Sequence, residues 1–147
     1  MARPFPLQTV REVLQRRAEV AAGALRDHAA RMREAEGRLR QLEGFLEEYR
    51  RQQRQALADG MTAGSAADFR AFVARIEEAV GAQRAEVKRQ QALWEAAREH
   101  WSGQSRREKA MDTLAARHQL GEARRDARLE QKHTDELAAR TAPSDEG

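Results

Sequence analysis

The stretch Ala58–Asp68, ADGMTAGSAAD, decides the fold because it holds the strongest helix break in the interior of the chain. Gly60 can take the left-handed backbone conformation that closes a helix at its C terminus. Ser65, followed by an acidic residue in the next turn, resembles an N-cap that opens a second helix. The stretch therefore predicts two helices joined by a turn over residues 59–64.

The rest of the chain predicts one domain, a single coiled-coil hairpin over residues 1–147. The first helix is predicted from about residue 6 to about 58, because Pro6 is tolerated at a helix start. The second helix is predicted from about residue 65 to about 140, and residues 141–147 are predicted to form a disordered tail.

Each predicted helix carries one stripe of mainly apolar residues, which has the spacing of a coiled coil. Over residues 14–49 and 69–111 the stripe residues recur in alternating steps of four and three. Polar residues, among them Gln83 and Gln90, enter the second stripe. A connection this short favours antiparallel pairing, in which residue i faces roughly residue 124 minus i. The predicted fold class is therefore all-α, an antiparallel two-helix coiled coil.

The second helix is predicted to be the longer one and to overhang the first. At about 1.5 Å per residue the two helices span roughly 80 Å and 115 Å, so the overhang is expected beyond about His118. It contains the stretch Arg128–Arg140, RLEQKHTDELAAR, which has helix-forming residues but almost no apolar face. Such a helix frays in isolation or is held by another protein.

The composition fits long helices and excludes several other classes. The 147 residues are 40% hydrophobic, 5% aromatic and 35% charged, with a mean hydropathy of −0.89, which is too polar for a broad core. No apolar run suits a signal peptide or a membrane span, so we expect a cytoplasmic protein without membrane insertion. The net charge of +3 comes from interleaved charges of both signs, which disfavours nucleic-acid binding.

No motif for catalysis, phosphate binding or calcium binding is present, so the sequence predicts neither an enzyme nor a cofactor. A two-histidine metal site between His28 and the region of His100 is conceivable, but no third ligand converges there. His28 is better explained as a polar residue in the seam between the two helices, where it fixes their register. No metal is predicted. Trp94 and Trp101 lie one heptad apart, a spacing that favours core positions over a base-stacking platform.

Apolar side chains also lie beside the stripe near the turn. Phe45 and Phe72 are predicted on opposite sides of the hairpin tip, with Tyr49, Ile76 and Ala79 close by. Two interpretations stay open. The side chains either widen the core at the tip or form an exposed apolar patch that docks a partner.

The order and spacing of five stretches resemble the FliJ family of flagellar export proteins over essentially the whole chain. These stretches are FPLQTVREV, LRQLEGFLEEYRRQ, GMTAG, FRAFVARIEEAVGAQR and RLEQKHTDELAAR. FliJ-like proteins are antiparallel two-helix coiled coils that resemble the central stalk of rotary ATPases. The resemblance therefore implies the same fold as the stripe pattern.

The resemblance further implies a cytoplasmic component of the bacterial flagellar type III export apparatus, peripherally associated with the inner-membrane export machinery. Such a protein links the hexameric export ATPase, as a central axle, to the cytoplasmic domain of the membrane export gate, and assists the cycling of export chaperones. It is expected to be a monomer when free. The alternatives are a stalk protein of a virulence-type type III secretion system and an unrelated, self-associating coiled-coil scaffold.

The resemblance also implies two sets of binding residues. The gate-binding set matches positions near the hairpin tip: Leu42, Phe45, Tyr49, Phe72, Ile76 and Ala79. The ATPase-binding set lies in the polar overhang: Arg128, Gln131, Lys132, Asp135 and Glu136. A helix that is polar all round suits the water-lined centre of a hexameric ring, where it can form charge-assisted hydrogen bonds with several subunits.

Overall fold

The computed structural model describes residues 3–141, which form two long helices packed against each other. Helix α1 comprises Gln8–Asp59 and helix α2 comprises Ala63–Thr141, and no strand occurs in the described range. The all-α, two-helix fold class predicted from the sequence is confirmed. The assignment of the whole chain to one domain stays a prediction. Residues 142–147 of the predicted tail lie outside the described residues.

The turn between the helices depends on one glycine and one threonine. Gly60 has a φ of 89°, in the left-handed region that favours glycine, and its amide donates to the carbonyl of Leu57 at 3.3 Å. The Thr62 hydroxyl accepts a hydrogen bond from the amide of Ser65 at 3.2 Å. The N-cap is therefore Thr62, and the prediction of Ser65 is wrong because α2 already begins at Ala63.

We expect Gly60→Ala to lower the free energy of unfolding by about 1 kcal/mol, because an L side chain is strained at this φ. The matched control is Gly81→Ala within α2, where an added methyl group meets no atom within 4 Å. This control is expected to raise stability by about 0.5–1 kcal/mol, the helix-propensity gain of alanine. Urea denaturation followed by circular dichroism measures both changes. Shifts of the same sign would contradict the role given to Gly60.

Residues 20–101 form one compact unit around the turn. Its core contains Leu46, Val73 and Val80, all buried, and partly buried side chains pack against them: Leu39, Leu42, Tyr49, Phe69 and Ile76. Two ion pairs join the helices, Arg50 with Glu77 at 3.0 Å and Arg84 with Glu43 at 3.4 Å. These pairs lie close to the predicted register.

Polar residues occupy part of the seam in this unit. The Gln83 side-chain amide donates to the backbone carbonyl of Ala35 on α1 at 3.0 Å, which ties the two helices at one register. Gln90 is buried, and its side-chain oxygen has no hydrogen-bond partner. His28 is half-buried, and its Nδ1 atom also has no partner. The seam is therefore narrow and partly polar, as the stripe pattern indicates.

The second compact unit contains residues 3–19 and 102–141 of the described range. Arg11 and Asp112 form an ion pair at 2.9 Å between α1 and α2. Ahead of α1, the ring of Phe5 packs on that of His118 with a centroid distance of 5.5 Å, and His118 Nε2 donates to the Arg3 carbonyl at 3.0 Å. Residues 3–7, which we call the N-terminal segment, thus lie against α2.

This N-terminal segment shifts the start of the overhang. The backbone amide of Arg3 donates to Glu122 at 3.3 Å, and residues 125 and 126 are still half-buried. From Ala127 to Thr141 every residue is exposed. The prediction that the overhang begins at about His118 is therefore wrong, because the chain ahead of α1 still contacts α2 at His118 and Glu122.

Candidate functional site

The six side chains of the predicted gate-binding set come together in one pocket, which we call the tip pocket. Its volume is about 310 Å³, and it is lined by Leu42, Phe45, Tyr49, Phe72, Arg75, Ile76 and Ala79. The lining residues of each helix recur at intervals of three and four, so each helix presents one face to the pocket. The structure adds one residue to the predicted set, Arg75.

Phe45 and Phe72 lie on the same side of the helix pair, and the prediction of opposite sides is wrong. Both line the tip pocket. Each phenylalanine directly precedes a buried seam residue, Leu46 on α1 and Val73 on α2. Equivalent flanks of two antiparallel helices meet on one face, so the two rings converge.

The tip pocket has a buried floor and an exposed rim. Leu42, Tyr49 and Ile76 pack against the core, whereas Phe45 and Phe72 are 55% and 42% exposed. The rings of Tyr49 and Phe72 meet edge to face, with a centroid distance of 4.9 Å and an interplanar angle of 84°. The two phenylalanines therefore do not widen the core. They leave apolar surface in contact with water, as in a docking patch.

The predicted ATPase-binding set lies in the exposed segment Ala127–Thr141 of α2, which we call the C-terminal segment. The five residues recur at intervals of three and four and share one helix face: Arg128, Gln131, Lys132, Asp135 and Glu136. The Gln131 side chain donates to Asp135 at 2.8 Å. Two cations and two carboxylates on one exposed face offer charge-assisted hydrogen bonds to a partner.

A smaller, polar pocket lies along the seam. Its volume is about 110 Å³, and it is lined by Arg31, Glu34, Ala35, Arg38, Gln83, Glu86 and Gln90. Glu86 accepts hydrogen bonds from Arg89 at 2.7 and 2.9 Å and from Gln90 at 2.8 Å. The bond from Arg89, followed by that from Gln90, lowers the pKa of Glu86 from 4.5 to about 2.

We expect Arg89→Gln to raise the pKa of Glu86 well above 2, because it removes the largest cause of the shift. The matched control is Arg38→Gln, which removes the weakest cause and should change this pKa less. Because the folded-state pKa is depressed, the stabilisation from Glu86 is present above pH 4.5 and is lost as the pH falls toward 2. An NMR titration of the side-chain carboxyl measures these pKa values. Equal effects of the two variants would contradict the assignment.

Neither tryptophan is fully buried, although the sequence favours core positions for both. Trp94 is half-buried, and the Arg98 guanidinium lies 5.6 Å from the centroid of its ring. Trp101 is 36% exposed, so the core prediction is wrong for this residue. An indole is larger than a narrow two-helix seam can cover.

Two negative findings concern the described residues. Within residues 3–141 no group of three His, Cys, Asp or Glu side chains is placed to hold a metal ion. Neither helix, over that same range, has a stretch long and apolar enough to cross a membrane.

Comparison with known proteins identifies a matching family and a similar solved structure. The family model described as Flagellar FliJ protein matches residues 3–146. A solved structure of a YscO homolog from Chlamydia trachomatis is similar, with a TM-score of 0.66 and 21% sequence identity. The alignment covers 95% of this chain and 94% of that chain, and at this identity it shows a shared fold. No curated protein matches the chain.

Proposed function

Because the chain belongs to the FliJ family, we propose that it links the hexameric ATPase of the flagellar type III export apparatus to the membrane export gate. The family consists of non-catalytic structural and escort proteins that work with type III export components such as the ATPase. The chain is accordingly a stalk protein associated with type III secretion. In this proposal it works in the cytoplasm, at the inner-membrane export apparatus, and also assists export chaperone cycling.

The observation that carries the proposal is the tip pocket. Its apolar lining with two exposed phenylalanines provides the kind of surface on which a partner's apolar side chain loses contact with water. We assign this pocket to the cytoplasmic domain of the export gate. The gate-binding residues are Leu42, Phe45, Tyr49, Phe72, Ile76 and Ala79.

The C-terminal segment is the surface that we assign to the ATPase. It is helical and exposed over 15 residues, and its helix faces carry charges of both signs. The exposed side chains Leu129 and Leu137 add apolar contact area. A helix of this kind can contact several subunits of a ring without one fixed orientation. The contacting residues are Arg128, Gln131, Lys132, Asp135 and Glu136.

A bridging assay tests the linking function directly. The cytoplasmic domain of the gate is immobilised, and retention of the export ATPase is measured with and without the chain. We expect retention to require the chain and to be lost with either Phe72→Ala or removal of residues 128–147. Mixing these two defective variants should not restore retention, because each lacks one surface. Retention that is independent of the chain would contradict the proposal.

A virulence-type secretion system is the alternative setting for the same stalk role. The shared fold with the YscO homolog gives this alternative its support. Deletion of the gene, followed by a motility assay, separates the two settings. Loss of swimming, with recovery when the intact gene is returned, would favour flagellar export. Normal swimming with loss of effector secretion would favour the virulence setting. An unrelated coiled-coil scaffold does not agree with membership of the family.

A further inference from the structure

The tip pocket has one charged side chain on an otherwise apolar wall. Arg75 is the only ionisable cation among its lining residues, and no carboxylate lines it. The acids Glu43 and Glu77 are held in ion pairs with arginines of the facing helix. Over residues 3–141 the Arg75 guanidinium has neither an ion-pair partner nor a hydrogen-bond acceptor. Its donors are therefore available to an occupant.

A second donor faces the same pocket without a partner. Tyr49 is half-buried, and its ring is held by the edge-to-face contact with Phe72. Its hydroxyl forms no hydrogen bond with any other residue of the described range. On α2, Arg75 lies three residues after Phe72 and four before Ala79, so it shares the helix face of both. An occupant held between the aromatic rings is within reach of these donors.

We propose that the tip pocket selects a partner segment in which an apolar side chain is followed or preceded, about one helical turn away, by a carboxylate. This inference rests on the proposed gate-binding function. The apolar side chain fills the volume between Phe45 and Phe72, and the carboxylate accepts hydrogen bonds from Arg75, with the Tyr49 hydroxyl as a further donor.

Charge complementarity is what makes the carboxylate the expected group. A bound segment covers part of Arg75 and removes water from the guanidinium, and an unpaired cation in that position is destabilising. An apolar or basic segment of the same shape therefore binds less well than an acidic one. Arg75 thus acts as a specificity determinant beside the aromatic anchors of the pocket.

Calorimetric titration with the cytoplasmic domain of the export gate tests the inference. We expect Arg75→Gln to weaken binding about tenfold and to reduce its dependence on salt concentration. The matched control is Arg70→Gln, which removes the same charge from the same exposed helix but does not line the pocket, and which should change binding less than about twofold. Circular dichroism checks that each variant keeps its helix content.

Peptides from the cytoplasmic domain of the gate identify the carboxylate. Among overlapping peptides, the one that binds should contain an apolar residue and an acid about one turn apart. Replacement of that acid by its amide should weaken binding to the wild-type chain about tenfold and leave binding to the Arg75→Gln variant unchanged. Equal weakening for both chains would overturn the pairing.

The variants also separate this inference from the function on which it rests. If Phe72→Ala abolishes gate binding and Arg75→Gln has no effect, the carboxylate inference fails and the gate-binding function stands. If neither variant changes gate binding, both fail. If the chain is a dimer in light scattering and Phe72→Ala makes it a monomer, a second copy occupies the pocket, and the inference is overturned.

Discussion

Phe72→Ala is expected to weaken binding of the export gate by at least about thirtyfold, the effect of removing an interface hot spot. The side chain lines the tip pocket and packs edge to face on Tyr49. Its removal therefore takes away apolar contact area and leaves the Tyr49 ring without this contact. Because Phe72 is 42% exposed and lies outside the buried core, we expect only a small loss of folding stability. Calorimetric titration with the gate's cytoplasmic domain measures the binding change.

The matched control for Phe72 is Leu93→Ala. Leu93 lies on the same helix and is 39% exposed, but it does not line the tip pocket. Its replacement removes a comparable exposed apolar side chain and should leave gate binding within about twofold of wild type. A similar loss of binding for both variants would show that general apolar surface, and not the pocket, drives the interaction.

We expect the chain to stimulate the export ATPase and the removal of residues 128–147 to abolish this stimulation. The described part of the removed segment, residues 128–141, is exposed throughout and packs on no core, so the remaining hairpin should keep its structure. ATP hydrolysis by the cognate export ATPase is measured with the full chain and with the shortened chain. Loss of stimulation would place the contacts with the ATPase in the removed segment.

A second truncation provides the control for this experiment. A chain ending at Thr141 keeps the whole of α2 and removes only residues 142–147, so it should stimulate the ATPase as the full chain does. Stimulation by the chain that lacks residues 128–147 would contradict the role of the C-terminal segment. Absence of stimulation by the full chain would contradict an action of the chain on the ATPase and leave gate binding as the function to test.

The helices and their pairing could be predicted because they follow from local and periodic signals. A glycine at Gly60 and an unbroken heptad stripe on each side of it suffice for a two-helix hairpin. The N-cap could not be assigned in the same way, because Thr62 and Ser65 both have capping hydroxyls and only the backbone decides between them. The extent of the overhang depends on contacts of Phe5 and His118 that no periodicity encodes.

The tip pocket could be predicted only in part. Apolar residues off the stripe, such as Phe45 and Phe72, stand out in a chain that is 35% charged. Their convergence on one face follows because equivalent flanks of two antiparallel helices meet on the same side. The pattern of either helix by itself does not reveal this. Arg75 was missed for a different reason, since an arginine on an exposed helix usually indicates a solvated surface. Its position three residues after Phe72 was the available signal.

The hydrogen bonds that α2 forms with the rest of the chain also bear on how the chain folds. The ion pair of Arg50 with Glu77 joins residues separated by 27 positions, whereas the contact of Arg3 with Glu122 joins residues separated by 119. Closing the longer loop from the unfolded chain costs about 1 kcal/mol more in chain entropy. Pairing that starts at the glycine turn shortens each later closure, so we expect the heptads to pair in order from the turn outward. In that order the tip pocket would be among the first surfaces to form, and the contacts of Arg3 and Phe5 with α2 would be among the last.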